Sequence, residues 1–125
     1  MYYIQQTHEN GCGFACLTMM LANIRNDKRW LFLSEDEKLM SYKDLIFEGN
    51  KYGLSLCGFK AVEKREIEKH RNFPMIVSLS SKVGENHAVV VVSIKNGVVD
   101  LLDPADKRKK MKLIDNVLMK CQLAS

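Results

Sequence analysis

From Cys12 to Asn26 the apolar positions fall three and four residues apart. Phe14, Leu17, Leu21 and Ile24 share one face, and Cys16 and Met20 widen it. That is the period of an α-helix lying on a core, with Asn10 or Gly11 at its N-cap. Residues 1–11 read as extended or looped, with Tyr2, Tyr3 and Ile4 as packing residues. Asp27-Lys28-Arg29 reads as a turn. Ser34-Glu35-Asp36-Glu37 puts acids where a helix begins. A second helix is predicted over Ser41–Tyr52, built on Leu45 and Ile46 and stopped by Gly53. A short strand over Leu54–Phe59 follows, then a charged helix over Ala61–His70 with Glu63, Glu66, Lys69 and His70 on a solvated face.

The period changes after Pro74. Met75–Leu79 reads as a strand entered from the proline. His87–Ile94 is dominated by valine and isoleucine and reads as a buried strand. Lys95-Asn96-Gly97 signals a hairpin turn, and Val98–Leu102 is the returning strand, ending at Asp103-Pro104. Met111–Ile114 is a further strand, and Asp115–Cys121 reads as a short closing helix. Helices first and an antiparallel sheet second make an α+β layout without internal repeat.

The 125 residues suit one domain. Hydrophobic residues at 46% and charged residues at 27% are ordinary for a packed globular chain, so disorder is not expected. The longest apolar run is Ala88–Val92, far below the roughly 18–20 residues of a membrane span. The first residues, Met-Tyr-Tyr-Ile-Gln-Gln, carry no secretory signal pattern. Four cysteines in such a chain point to a reduced, cytosolic setting. No Cys-x-x-Cys pair anchors a metal site, and Cys12 and Cys16, one helical turn apart, are badly placed for a disulfide. The net charge of +4 owes much to Lys107-Arg108-Lys109-Lys110, read as a solvated basic loop. No aromatic interleaving or nucleic-acid motif accompanies it, so nucleic acid is not an expected partner.

Cys12 changes this picture. Alone, a cysteine at a helix's apolar edge is usually a small core residue, and Cys16, Cys57 and Cys121 keep that reading. Cys12, however, stands at a helix start between Gly11 and Gly13. There the dipole favours a thiolate and the glycines leave room for a substrate backbone. Folding the hairpin about Asn96 sets Asp103 nearly opposite His87. A carboxylate there accepts the imidazole N–H and fixes its tautomer, so His87 is suited to exchange a proton with Cys12. His70 lies in a charged helix, and His8 is too close in sequence to Cys12. Acyl transfer also needs donors for an oxyanion. The Cys12 N–H and the amide of Gln6 are suitable, with Gln5 a rival that spacing does not separate.

Gln6-x5-Cys12-Gly13-x-Ala15-Cys16-Leu17-x-Met19, then His87, then Asp103-Pro104-Ala105, resembles the C39 peptidase family. These are papain-like domains at the N-terminus of bacteriocin and quorum-peptide ABC transporters. Tyr52-Gly53-Leu54 before a strand and Phe73-Pro74 at the entry to the central strand extend the likeness along nearly the whole chain. The resemblance implies a papain-like fold over residues 1–125, with N-terminal helices packed on an antiparallel sheet. It implies a cysteine peptidase with Cys12 as nucleophile, His87 as general base, Asp103 as orienting acid and Gln6 as oxyanion donor, and no cofactor or metal. The reaction implied is removal of a leader from a precursor peptide after Gly-Gly or Gly-Ala, on the cytoplasmic side of the membrane. It is coupled to export by a transporter whose own domains span the membrane and bind ATP, and the precursor's amphipathic leader helix would dock in an apolar groove. Two departures stand out. Gly11 replaces the family's usual Asp. The chain also ends at Ser125, where relatives continue through a last sheet strand and a linker, so an excised domain or a stand-alone peptidase is expected. The competing readings are a non-catalytic substrate-docking module of an exporter, since some relatives lack the nucleophile, and another papain-like transferase.

Overall fold

A computed structural model describes residues 2–7, 11–33, 40–60, 72–80, 86–106, 108–112 and 117–123. The first helix, α1, runs Cys12–Arg25 and ends on Asn26 in the left-handed conformation. It is buried on more than one face: every residue from Gly13 to Ala22 is covered, the state of a helix enclosed by its domain. A short 3-10 helix, Lys28–Phe32, follows, capped by the side chain of Asp27, where a turn was expected. Arg25, in the last turn of α1, stacks 4.3 Å over the Trp30 ring and donates to the carbonyl of Tyr52. It thereby ties this connection to the end of the second helix. That helix, α2 (Tyr42–Lys51), has Ser41 and Asp44 in a reciprocal capping box, and Gly53 at φ 84° turns the chain out of it.

Among the described residues, six strands make one antiparallel sheet: β1 (Leu56–Lys60), β2 (Met75–Ser80), β3 (Asn86–Lys95), β4 (Val98–Leu102), β5 (Arg108–Lys112) and β6 (Val117–Leu123). Their spatial order is β1-β6-β2-β3-β4-β5. Two elements differ from what the sequence pattern predicts. Of the closing helix expected over Asp115–Cys121, the described residues 117–121 belong to the strand β6, set between β1 and β2. Its Val117-Leu118-Met119-Lys120-Cys121 run was short and apolar enough for either state, and pairing on both sides decided it. The basic run is likewise no loop: its residues 108–110 open β5, the edge strand paired to β4. A lysine-rich edge is a usual defence against strand addition. The helices expected after Ser34 and over Ala61–His70 lie outside the described residues.

Each face of the sheet carries its own core. Ile76, Val90, Leu102 and Cys121 pack with Leu17, Met20 and Leu21 of α1. Met75, Val77, Val89, Val91, Ile94, Val99 and Leu101 form a second cluster. Burial on both faces explains the unbroken run Ala88–Val92. The turn between β3 and β4 has Asn96 at φ 53° and Gly97 at φ 75°. Both central residues are left-handed, the geometry that matches the twist of a two-residue hairpin.

Truncating Leu17, which has no exposed surface, removes atoms from the centre of the helix–sheet core. Urea unfolding of Leu17→Ala is expected to show a loss of about 2–5 kcal/mol. Ser41→Ala, which removes one cap of α2, costs about 1 kcal/mol.

Candidate active site

Gly11 is the N-cap of α1 and its carbonyl accepts from Ala15 N at 3.0 Å. Cys12 is therefore the first helical residue, half-buried at the end of an otherwise enclosed helix. Gly13 does not open a path for a substrate backbone, as the sequence suggested. Gly11 and Gly13 are both buried, and a Cβ on Gly13 would stand 3.1 Å from the Cβ of Met40. Gly13 is small because the chain before α2 crosses there.

His87 is the second residue of β3 and lies at the rim of the sheet, level with the start of α1. Its Nε2 is 2.6 Å from Oδ1 of Asp103. Its ring also bonds the Cys12 thiol, and with Nε2 committed to the carboxylate the nitrogen left for sulfur is Nδ1. His87 thus bridges thiol and carboxylate.

The hairpin register departs from the simple fold about Asn96. Lys95 pairs with Val98, but an extra residue in β3 between Val91 and Ser93 shifts the ladder, so Val90 pairs with Leu102. One step further, Asp103 falls opposite Val89, two residues from His87 and on the same face. Without the bulge it would fall opposite Val90, on the face that α1 covers. The bulge therefore puts the carboxylate on the side of the imidazole, and the contact is diagonal rather than directly cross-strand.

Asp103 is itself tightly held. Its carbonyl accepts from Asp106 N at 3.1 Å, closing a β-turn with Pro104 in second place. Its Oδ1 accepts from Ala105 N at 2.9 Å, an Asx turn. The N-terminal segment lies against this turn: Gln6 N donates to the Pro104 carbonyl at 2.8 Å. Gln6 is partly buried and Gln5 exposed.

The electrostatics follow from these contacts. The hydrogen bond from His87 holds the Cys12 thiol below its ordinary pKa of 9.0 despite partial burial, with help from the N–H groups of Ala88 and Gly13. The same bond to Cys12, with Asp103 behind, raises His87 to about 9. Lowering the thiol and raising the imidazole both favour a thiolate beside an imidazolium. Burial pushes Cys16 well up and Cys121 to about 12, so both are protonated and inert at neutral pH. The donors from Ala88 and Ala105 were not foreseen, because a main-chain N–H has no sequence signature. His8 and His70 lie outside the described residues.

The peptidase C39 family model matches residues 1–116. The chain belongs to the peptidase C39 family. No curated protein matches it, but solved structures of the family share its fold. A double glycine motif protease from an AMS/PCAT transporter, in complex with its leader peptide, matches with a TM-score of 0.77 and 21% identity. The match covers 96% of this chain and 88% of that one. The peptidase domain of Streptococcus ComA, a bifunctional ABC transporter of a quorum-sensing pathway, matches at 0.76 and 17%, over 97% and 96%. That of Streptococcus mutans ComA matches at 0.73 and 17%, over 98% of each. This C39 domain has no helix, among the described residues, long and apolar enough to cross a membrane.

Iodoacetamide at pH 7 is expected to label Cys12 first and Cys57 more slowly, with Cys16 and Cys121 labelled only on unfolding, as read by peptide mass spectrometry. The rate at Cys12 should rise with pH around a midpoint below 9.0. In His87→Ala that midpoint should move up, because the cation that favours the thiolate is gone.

Proposed function

We propose that residues 1–125 form a single cysteine endopeptidase domain that removes double-glycine-type leaders from bacteriocin or signalling-peptide precursors. The observation that carries this reading is the line of contacts from the Cys12 thiol through the His87 ring to Asp103 Oδ1, 2.6 Å from Nε2. Membership of the C39 family and the likeness to a double glycine motif protease support the choice of substrate.

In this mechanism the Cys12 thiolate attacks the carbonyl carbon of the second residue of the Gly-Gly or Gly-Ala pair, and a C–S bond forms. The negative charge moves to the carbonyl oxygen, which accepts from the Cys12 N–H and the Gln6 amide. Asp103 keeps the proton on Nε2, so the proton that leaves His87 comes from Nδ1. It passes to the departing amine as the C–N bond breaks. Water then attacks the thioester carbon and gives a proton to His87, and Cys12 leaves as thiolate. The domain would act on the cytoplasmic side, beside the membrane-spanning and ATP-binding parts of an ABC transporter, as the ComA resemblance suggests.

Cys12→Ala is expected to abolish cleavage of a synthetic Gly-Gly precursor, read by mass spectrometry, while fluorescence anisotropy still reports binding. Full cleavage by that variant overturns the mechanism. A Cys12 that alkylates no faster than Cys57 favours a docking module instead. Asp103→Asn should lower kcat on the order of 10²-fold with little change in binding.

A further inference from the structure

Asp103 is held from outside its own turn by a residue that no catalytic role accounts for. The Tyr3 hydroxyl donates to the main-chain carbonyl of Asp103 at 2.6 Å, across a sequence separation of 100 residues. Its ring packs partly buried against the α1 core, so the hydroxyl has a fixed origin. Three residues on, Gln6 N bonds the next carbonyl, that of Pro104. The other end of the same segment is clamped to α1. Tyr2 N donates to Asn23 Oδ1 at 2.9 Å, and Asn23 Nδ2 donates back to the Tyr2 carbonyl at 3.0 Å. Residues 2–6 therefore form a strap that runs from the helix bearing Cys12 to the turn bearing Asp103.

We propose that Tyr3 is a positioning residue for the peptidase site: its hydroxyl fixes the Asp103–Asp106 turn so that Oδ1 stays on Nε2 of His87. This rests on the cysteine peptidase reading for its kinetic consequence, but not for its structural one. The turn's internal bonds, Asp106 N to the Asp103 carbonyl and Ala105 N to Oδ1, set its shape without setting its tilt against β3. Tilt is what an outside anchor adds, and a shift of about 1 Å is enough to weaken a positioned catalytic contact. Among the described residues, the titratable groups that face His87 are Cys12 from α1 and Asp103 from the turn, with Cys16 one helical turn behind Cys12.

Tyr3→Phe removes the hydroxyl and keeps the ring in the core. Tyr2→Phe is the matched control: its hydroxyl bonds Asn26 Oδ1 at 3.1 Å, away from the turn. Ring NMR of His87 across a pH series is the first measurement. In Tyr3→Phe its titration midpoint should fall from that of the wild type, as the carboxylate loosens, and in Tyr2→Phe it should stay. Peptide cleavage is the second: Tyr3→Phe should lose roughly 3- to 10-fold in kcat, the scale of one hydrogen bond, with KM within twofold. An unchanged His87 titration in Tyr3→Phe, or an equal fall in Tyr2→Phe, overturns the proposal. A shifted titration in a protein whose wild type cleaves no precursor upholds the positioning role and rejects the peptidase reading.

Discussion

Everything in this fold is arranged around the burial of the middle of α1, Gly13–Ala22. A surface helix shows one stripe to the core and leaves its other sides to water. Here ten successive residues are covered, so the helix has almost no freedom to slide or roll. What is left accessible lies at its two ends, with Cys12 at the first and Asn23, Ile24 and Arg25 at the second. Closing in on a helix from the sheet, α2 and the N-terminal strap produces a rigid post with a thiol at its tip. Packing of that density makes small displacements costly, which is what a reaction needing sub-ångström alignment requires.

The second determinant is a single extra residue. The bulge in β3 changes which face of the hairpin each later residue occupies. Ile94 joins Val91 in one core although their parity in sequence differs, and Asp103 comes round to His87. A regular ladder of the same residues would give a stable hairpin with its carboxylate turned towards the helix. The dyad is thus a property of strand irregularity, not of the two residues alone.

Much of this was legible in the residues. The periodicity of Phe14, Leu17, Leu21 and Ile24 marked α1 to within a residue, and Asn96-Gly97 marked the hairpin. Cys12, His87, Asp103 and Gln6 stood out because their chemistry needs one another. What failed did so for physical reasons. Residues 115–121 carry no period that separates strand from helix, and the state of 117–121 is decided by two neighbouring strands far away in sequence. The basic run looked solvated because charge marks exposure, and an edge strand is exposed too. The bulge had no signal at all, since Val92 is one valine among four. Glycines beside Cys12 suggested access, whereas Gly13 yields its space to Met40.

The position of β6 carries a consequence for how the chain is made. Among the described residues it is the last strand in sequence, yet it lies inside the sheet, and β1 joins the other described strands through it. While residues 117–123 are still within the ribosome, β1 has no neighbour and β2 presents an open edge. The helix with its thiol, and the hairpin with its imidazole and carboxylate, precede it in sequence and emerge before it. Synthesis therefore delivers the reactive groups before the strand that closes the sheet over them. The nascent domain passes through a stage in which an unpaired edge, the usual template for wrong strand pairing, waits for its final insert.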